Sequence, residues 1–194
     1  MRTLGRTVLG VLVVSVAFGI VYPVVFTGAA QLVASGRADG SLVERDGRVV
    51  GSRLAAQAFT RPEYFHPRPS GTDPAYDAAG TTFANLGPTS PELTELVRAR
   101  AQAILKLERP YNPGLGIGDI PVDAVVTSGS GIDPHISPAD ARLQTARVAQ
   151  ERGLDPERVA ELVDEHTDGR FLGLLGEPGV NVLELNLALD EETS

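Results

Sequence analysis

The sequence contains no cysteine, a single lysine and no internal repeat. The absence of cysteine excludes disulfide bonds, thiolate metal ligands and cysteine nucleophiles, although it does not assign a cellular compartment. The three histidines, His66, His135 and His166, include no pair spaced four residues apart and no H-E-x-x-H pattern, so no metal site is predicted. The absence of a repeat with a period of roughly 20–50 residues argues against a solenoid.

Charged residues are absent from the 30 positions between Arg6 and Arg37. Within that interval, residues 8–33 are mainly Val, Leu, Ile, Ala, Gly and Phe. Because a helix of about 20 apolar residues crosses the hydrocarbon core of a bilayer, residues 8–33 are predicted to form one transmembrane helix. A cleaved signal peptide is the alternative, but its apolar region usually has about 7–15 residues, so the length favours an uncleaved anchor.

The predicted transmembrane helix contains a proline, a tyrosine and several small residues. Pro23 is expected to kink it, which membrane helices tolerate where neighbouring groups satisfy the freed carbonyl. Small residues allow other helices to approach closely. The positions predicted to pack against a partner helix are Gly10, Gly19, Tyr22, Pro23 and Gly28.

Basic residues beside this helix predict its orientation. Arg2 and Arg6 precede it, whereas Arg37 is soon followed by acidic side chains. Because basic residues favour the cytoplasmic side, residues 1–7 are predicted to be a cytoplasmic N-terminus and residues 34–194 a single extracytoplasmic domain. The chain is therefore expected to be a single-pass protein of the cell membrane.

The part of the chain beyond the anchor is strongly acidic. The formal net charge of the whole chain is −8, and residues 1–34 carry only two arginines, so the remainder has 15 basic and 25 acidic side chains, a balance of −10. Phosphate backbones would repel such a domain, so nucleic-acid binding is not expected.

Turn and capping signals indicate the first elements of the domain. Asp46-Gly47 between two apolar pairs predicts a β-hairpin. Ser52 is a candidate N-cap for a short helix that ends at Phe59. The proline-rich residues 61–91 show no sustained periodicity, which predicts a long ordered loop. Four aromatic side chains are expected to hold this loop against the core: Tyr64, Phe65, Tyr76 and Phe83.

N-capping residues followed by proline predict three helices. These helices are expected over residues 90–108, 137–153 and 155–166. Asp140 is expected to complete a capping box with Ser137, and Gly153 is expected to end that helix.

Two further segments predict strands, which makes the domain α+β. Residues 122–127 are rich in β-branched side chains, and residues 181–189 alternate as a half-buried strand does. The apolar residues 170–176 are either a packed turn or an exposed docking surface. The predicted architecture is one N-terminal transmembrane helix followed by a single mixed α/β domain.

Two glycine clusters are candidates for anion binding. Ser128-Gly129-Ser130-Gly131 lies between a predicted strand and a helix start, where backbone amides can bind an anion. Residues 114–118 form the other cluster. Neither matches G-x-x-x-x-G-K-[ST] or G-x-G-x-x-G, so the spacing alone gives weak support for a nucleotide site.

Two other classes of function stay open from the residues alone. A membrane-anchored hydrolase would use Ser128 or Ser130 with His135, although S-G-S-G is not the order of a nucleophile elbow. A free-standing, anchored ligand-binding domain is the second alternative. No catalytic residue is predicted.

Several segments occur in a fixed order along nearly the whole chain. In chain order, they are residues 51–57, 64–65, 68–70, 85–93 and 121–123, then Ser128-Gly-Ser-Gly-Ile-Asp-Pro-His-Ile-Ser-Pro138, then residues 144 and 147–149. The last is Gly176-Glu-Pro178 with Val180-Asn-Val-Leu-Glu-Leu-Asn-Leu-Ala-Leu-Asp190. In these segments the chain resembles the C subunit of the Kdp potassium-transporting P-type ATPase. Residues 78–83 depart from the Ser- and Gly-richer run expected in that family.

The resemblance implies an accessory, non-hydrolysing subunit of an ATP-driven, high-affinity potassium importer. It implies three partners: a channel-like A subunit, an ATP-hydrolysing B subunit and a very small F subunit. It also implies a catalytic chaperone that helps the B subunit bind ATP. No tightly bound cofactor is expected, only ATP shared with that subunit. If the chain contacts this ATP, the candidate residues are Ser128, Gly129, Ser130, Gly131 and Gln144.

The charge argument and the chaperone role conflict about the side of the membrane. ATP contact requires a cytoplasmic domain, whereas Arg2 and Arg6 place the domain outside. The outside location is favoured, which makes direct ATP contact the weaker inference. An external domain with a balance of −10 is expected to cap the potassium entry side of the A subunit and to concentrate cations there.

Overall fold

The computed structural model describes residues 2–80 and 85–193. The chain divides between residues 49 and 50 into two compact units. The first unit contains a long apolar helix, and the second combines helices with a small sheet. The predicted α+β class with one N-terminal apolar helix is therefore confirmed.

The helical segment of the first unit runs from Arg2 to Ala38 and is 37 residues long. It consists of α1 (Arg2–Val16), a π-helical turn (Ala17–Val21) and α2 (Tyr22–Ala38), and none of its residues is buried. Within the described residues, it is the one helix long and apolar enough to cross a bilayer. Helical structure thus continues beyond the predicted residues 8–33 at both ends.

The π-helical turn ends two residues before Pro23. Proline has no amide hydrogen, and its ring crowds the carbonyl group four residues earlier, which is that of Gly19. A π-helical turn relieves this crowding because it widens the helix locally. The irregularity expected from Pro23 therefore takes the form of a widened turn. A second irregularity follows at Ala34, whose φ of −151° and ψ of 52° are not helical.

The predicted hairpin is confirmed. β1 (Leu42–Arg45) and β2 (Arg48–Ser52) form a two-stranded sheet. Asp46 and Gly47 join the strands with φ values of 53° and 73°. A type I′ turn needs this left-handed backbone at both central residues, which explains the Asp-Gly pair.

The predicted helix from Ser52 to Phe59 is wrong. The Oγ of Ser52 accepts a hydrogen bond from the amide of Leu54 at 3.1 Å, which closes a turn at the end of β2. The amide of Ala56 donates to the carbonyl of Ile132 at 2.8 Å. Both amides therefore bond outside a helical pattern, and the segment stays irregular.

The described part of the proline-rich loop contains no helix or strand, as predicted. Phe65 is fully buried, and its amide and carbonyl bond to the side chain of Asn186 at 2.8 and 3.0 Å. Tyr64 and Tyr76 are half-buried. Phe83 lies outside the described residues. Aromatic side chains therefore do attach this loop to the rest of the second unit.

The first predicted helix is confirmed as α3 (Pro91–Glu108). The Oγ of Ser90 accepts a hydrogen bond from the amide of Leu93 at 3.5 Å, so Ser90 is its N-cap. Ala101, Leu105 and Glu108 are the buried residues of this helix.

The predicted strand at residues 122–127 is wrong, because Val122–Val125 form a short helix, α4. Pro121 has the extended backbone of an N-terminal flanking residue, with φ −60° and ψ 147°. The carboxylate of Asp123 accepts hydrogen bonds from the amide and hydroxyl of Ser137 at 2.7 and 2.9 Å. These bonds stabilise the helical turn against the β preference of the valines.

Asp123 also changes how the next helix begins. After β3 (His135–Ile136), α5 (Pro138–Arg152) begins with the Oγ of Ser137 accepting from the amide of Asp140 at 3.0 Å. The N-cap is therefore confirmed, but the capping box is wrong, because the amide of Ser137 donates to Asp123 and not to Asp140.

The third predicted helix is also confirmed. Gly153 ends α5 with a φ of 67°, the left-handed conformation that glycine adopts without strain. α6 (Pro156–Glu165) then begins with the carboxylate of Asp155 as its N-cap. It leads into β4 (Thr167–Asp168).

The predicted strand at residues 181–189 is wrong beyond its first residue. β5 (Gly179–Asn181) ends there, and α7 (Val182–Glu192) begins directly after it. The Oδ1 of Asn181 accepts a hydrogen bond from the amide of Glu184 at 3.2 Å, which starts the helix. Buried side chains on one face of α7 follow a helical spacing: Val182, Leu185 and Leu189.

β3, β5 and β4 form an antiparallel sheet with β5 in the centre. His135 lies opposite Asn181, and Thr167 lies opposite Val180. This sheet, the loop and α5, α6 and α7 supply the core of the second unit. Its buried residues include Phe65, Ile136, Ala141, Val148, Val159, Val163, Val180, Leu185 and Leu189.

Candidate functional site

An open cleft of about 550 Å³ lies among α4, β3, β4 and the start of β5. Its walls are partly apolar. In one wall, Gly179 packs closely against His135, because a Cβ on the glycine would lie 3.3 Å from the Cβ of His135. The charged side chains that line it are Arg68, Asp123, Asp133, His135, Asp168 and Glu177. Asp133 pairs with Arg68 and His135, and Glu177 pairs with Arg170, so several of these charges are compensated within the unit.

Asp133 is the centre of the polar cluster in this cleft. Its Oδ1 accepts from the amide of His135 at 3.0 Å and lies 3.3 Å from the Nδ1 of that ring. Its Oδ2 accepts from Arg68 at 3.2 Å. The hydrogen bond between the two side chains raises the pKa of His135 and lowers the pKa of Asp133. Each charge therefore stabilises the other.

The arrangement of the two serines does not resemble that of a hydrolase. The hydroxyls of Ser128 and Ser130 lie 3.3 Å apart and accept from backbone amides of residues 131–133. The imidazole of His135 bonds instead to Asp133. Among the described residues, no hydrogen bond joins either serine to an imidazole, which a nucleophile and its base require.

The segment predicted to contact nucleotide, residues 128–131, forms a tight turn. Gly129 and Ser130 are exposed at its surface, whereas Gly131 is buried. The amide of Gly131 donates to the Oγ of Ser128 at 3.0 Å. The carbonyl of Gly131 accepts from the amide of Gly71 at 2.9 Å. The serine side chains therefore occupy amides that an anion would need.

Gln144, the other predicted nucleotide contact, is buried on α5. Its Oε1 accepts from the amide of His66 at 2.7 Å and from Arg147 at 2.8 Å. Its Nε2 donates to the carbonyl of His66 and to Asp140, both at 3.1 Å. Gln144 thus bonds to a different set of residues from the serine turn. Its nucleotide contact stays a prediction.

Arg147 is fully buried and connects three parts of the second unit. Its Nε donates to Glu108 of α3 at 2.8 Å, and one terminal nitrogen donates to the carbonyl groups of Pro62 and Tyr64 in the loop. Sequence reasoning missed this role. The available signal was the position of Arg147 beside Val148, on the apolar side of a predicted helix.

Two carboxyl groups near Arg147 are held in the interior. Burial raises the pKa of Glu108, although Arg147 opposes this, and the Oε2 of Glu108 has no hydrogen-bond partner in the described part of the chain. Burial, with the nearby carboxylate of Asp123, raises the pKa of Asp140 to about 7. Burial lowers the pKa of His66. A cavity of about 60 Å³ adjoins these residues.

The residues predicted to pack against a partner helix lie along the apolar helix. A Cβ added at Gly10, Gly19 or Gly28 would meet no atom within 4 Å, so the surface there is open. The ring of Tyr22, directly before Pro23, lies 4.3 Å from that of Phe26 and 6.3 Å from that of Phe18. Their contact with a partner stays a prediction.

Comparisons with known proteins agree over almost the entire chain. The family model described as KdpC, K⁺-transporting ATPase, c chain, matches residues 4–191. The potassium-transporting ATPase KdpC subunit of Rhodospirillum rubrum is 50% identical over 98% of this chain and 96% of its own length. That of Myxococcus xanthus is 52% identical over 92% and 82%, and that of Koribacter versatilis is 44% identical over 97% and 94%.

Proposed function

This chain belongs to the KdpC family, the c chains of K⁺-transporting ATPases, and from that premise we propose that it is a non-hydrolysing subunit that stabilises the assembled pump. Membership makes it an accessory subunit of potassium uptake that assembles with other Kdp subunits. The observation that carries the proposal is the extent of the match, because residues 4–191 include the apolar helix as well as the second unit.

The proposed partners are the channel-like A subunit, the ATP-hydrolysing B subunit and the small F subunit. The open surface at Gly10, Gly19 and Gly28 supports a packing role for the apolar helix, because small residues allow close helix contacts in membranes. The Pro23 region adds an irregular surface that one partner helix can match. The chain itself would then contribute contacts and no chemistry.

The second unit is proposed to lie outside the cytoplasm. Arg2 and Arg6 flank the start of the apolar helix, and basic residues favour the cytoplasmic side. In this position a unit with a large excess of acidic side chains would attract K⁺ to the entry side of the A subunit, an effect that salt screens. An enzymatic reporter fused to the C-terminus, active on one side of the membrane only, tests the orientation.

A catalytic-chaperone role is a second candidate. The exposure of Gly129 and Ser130 at a turn supports it, whereas the amides of residues 131–133 are already bonded to the hydroxyls of Ser128 and Ser130. A photoreactive ATP analogue should then label residues 128–131 of the complex. Labelling of the B subunit alone under the same conditions would remove direct ATP contact from the proposal.

Assembly is tested by co-expressing the tagged chain with the other three subunits and purifying it in a mild detergent. We expect all three to co-purify and K⁺-stimulated ATP hydrolysis to depend on the tagged chain. His135→Ala is the control for a hydrolase, since it should leave assembly and ATP hydrolysis unchanged. Purification of the chain without partners would instead indicate a free-standing ligand-binding domain.

A further inference from the structure

The segment between β4 and β5 exposes four large apolar side chains. Phe171, Leu172, Leu174 and Leu175, here called the apolar tip, are 68%, 78%, 80% and 64% exposed. Of the two interpretations that the sequence left open, an exposed surface is therefore observed and a packed turn is not. A contiguous apolar patch of this kind usually marks an interaction site.

Backbone bonds hold the apolar tip in one shape. The amide of Phe171 donates to the carbonyl of Leu175 at 2.8 Å, and the amide of Leu175 donates back at 3.0 Å. Leu172 has a φ of 52°, a left-handed conformation that is uncommon for leucine and indicates a constrained turn. Outside this turn, Arg170 and Glu177 form an ion pair at 2.7 Å. A preorganised apolar loop loses little entropy when it binds.

The charge around the apolar tip indicates whether a lipid surface or a protein surface covers it. Asp168 and the ion pair of Arg170 with Glu177 border it, which leaves one net negative charge, and the chain beyond residue 34 has a balance of −10. Anionic lipid headgroups repel such a surface. A protein groove that is apolar inside and basic where it faces Asp168 complements both the tip and the net charge of its border.

We propose that the apolar tip inserts into a groove of this kind on another subunit of the same ATPase. The inference rests on the proposed function, because it needs the chain to assemble with those subunits. It adds the residues through which the second unit makes its contact: one aromatic and three leucine side chains, bordered by Asp168 and the ion pair of Arg170 with Glu177. Buried aromatic and aliphatic anchors at the centre of an interface usually supply most of the binding free energy.

The first test compares two double variants in the co-expressed complex. Phe171→Ser with Leu174→Ser should reduce the amount of co-purified partner subunits about tenfold, because it removes two anchors. Leu54→Ser with Ile117→Ser is the matched control, since these side chains are similarly exposed, at 61% and 63%, and lie away from the tip in sequence. Equal co-purification of the tip variant, the control and the parent would overturn the proposal.

The second test does not depend on the folding of a double variant. A photoreactive amino acid at Leu174 should crosslink to a partner subunit in the assembled complex, whereas the same group at Ile117 should not. Because the chain has no tryptophan, Leu174→Trp adds one to it, and the parent complex gives the background from tryptophans of the other subunits. Quenching of this tryptophan by brominated lipids in the reconstituted complex would identify lipid as the occupant and overturn the proposal.

The parent chain distinguishes failure of the proposed function from failure of the inference about the apolar tip. If the parent does not co-purify with the ATPase subunits, the proposed function fails, and the inference about the tip fails with it. If the parent co-purifies but neither the tip variant nor the crosslink at Leu174 differs from its control, only the inference about the tip fails.

Discussion

At the scale of single residues, Arg147 is a fully buried charge that joins α3, α5 and the loop. It neutralises Glu108 in the interior and donates to the loop carbonyls and to Gln144. Removing one partner of a buried ion pair leaves an uncompensated charge, which costs more than the pair contributes. The side chain therefore determines whether α3, α5 and the loop can pack together.

Replacing Arg147 with methionine tests this role. We expect Arg147→Met to lower the free energy of unfolding by about 3–5 kcal/mol, measured by circular dichroism of the full chain in detergent. Arg142→Met is the control, because its pair with Asp164 is exposed and contributes at most about 1 kcal/mol. Adding Glu108→Leu to Arg147→Met should restore part of the loss; no restoration would mean that the unpaired charge is not the cause.

Asp140 makes stability depend on pH. In the folded protein it keeps its proton up to about pH 7, whereas in the unfolded chain an aspartate releases it near pH 4. Between these values the folded state binds more protons, so the Asp140 contribution to the free energy of unfolding falls as the pH rises from about 4 to about 7 and is then constant.

Asp140→Asn should remove this dependence. We expect the variant to be more stable than the parent by about 2–4 kcal/mol above pH 7, with the difference vanishing near pH 4 in unfolding curves of the full chain. Taking the difference cancels the opposite contribution of His66, whose pKa is lowered. A parallel pH profile for parent and Asp140→Asn would contradict the assignment.

The role of a residue can be predicted from the sequence when its hydrogen-bond partner lies a few positions away along the chain. It is missed when the partner is distant in sequence. Ser90 and Ser137 were predicted as N-caps because each bonds an amide three residues ahead. Arg147 bonds Tyr64 across 83 positions, and Gln144 bonds His66 across 78. No local pattern contains that information. The predicted nucleotide contact of Gln144 rested on the family resemblance, and the structure shows its amide bonded within the unit.

At the scale of elements, the two wrong strands have a common cause. Residues 122–127 and 181–189 both have side chains that suit a strand, yet each segment begins with a signal that starts a helix. Pro121 precedes the first, and Asn181 with Glu184 caps the second. Asn181 outweighs side-chain alternation because its side chain satisfies an amide at the helix start, whereas Pro121 makes no side-chain cap bond and acts through its fixed φ.

Asn181 is the cap whose loss we expect to be most costly. It caps α7, and its Nδ2 also donates to the carbonyl of Arg53 at 2.9 Å. Asn181→Ala should lower the free energy of unfolding by about 2 kcal/mol, the sum of a lost cap and a lost internal hydrogen bond. Ser90→Ala, which removes a cap alone, should cost about 1 kcal/mol. Equal losses in thermal unfolding would show that the bond to Arg53 contributes nothing.

At the scale of the whole molecule, charge is separated along the chain. Both charges before residue 35 are arginines, and the remainder has an excess of ten acids. Long-range attraction of cations depends on summed charge and on ionic strength more than on any single contact. If the second unit concentrates K⁺ at the pump, the effect must therefore respond to the number of charges and to salt.

Neutralising exposed acids tests this proposal. Glu95→Gln, Glu157→Gln and Glu191→Gln together should slow K⁺ uptake by about twofold at low ionic strength and have little effect at high salt. Arg98→Gln, at an exposed site on the same helix as Glu95, should change uptake in the opposite direction. Uptake by the assembled pump, measured over a range of salt, is the readout. An effect that does not depend on salt would reject electrostatic concentration.

The contact between Phe65 and Asn186 has a consequence for biosynthesis. These residues are 121 positions apart, and the side-chain amide of Asn186 forms hydrogen bonds with both the backbone N–H and the backbone carbonyl of Phe65. Phe65 leaves the ribosome long before α7 is made, when the apolar helix has already been translated. The core around Phe65 can therefore close only after almost the whole chain has been synthesised, and a nascent chain that stops before α7 would leave this phenylalanine open to chaperones and proteases.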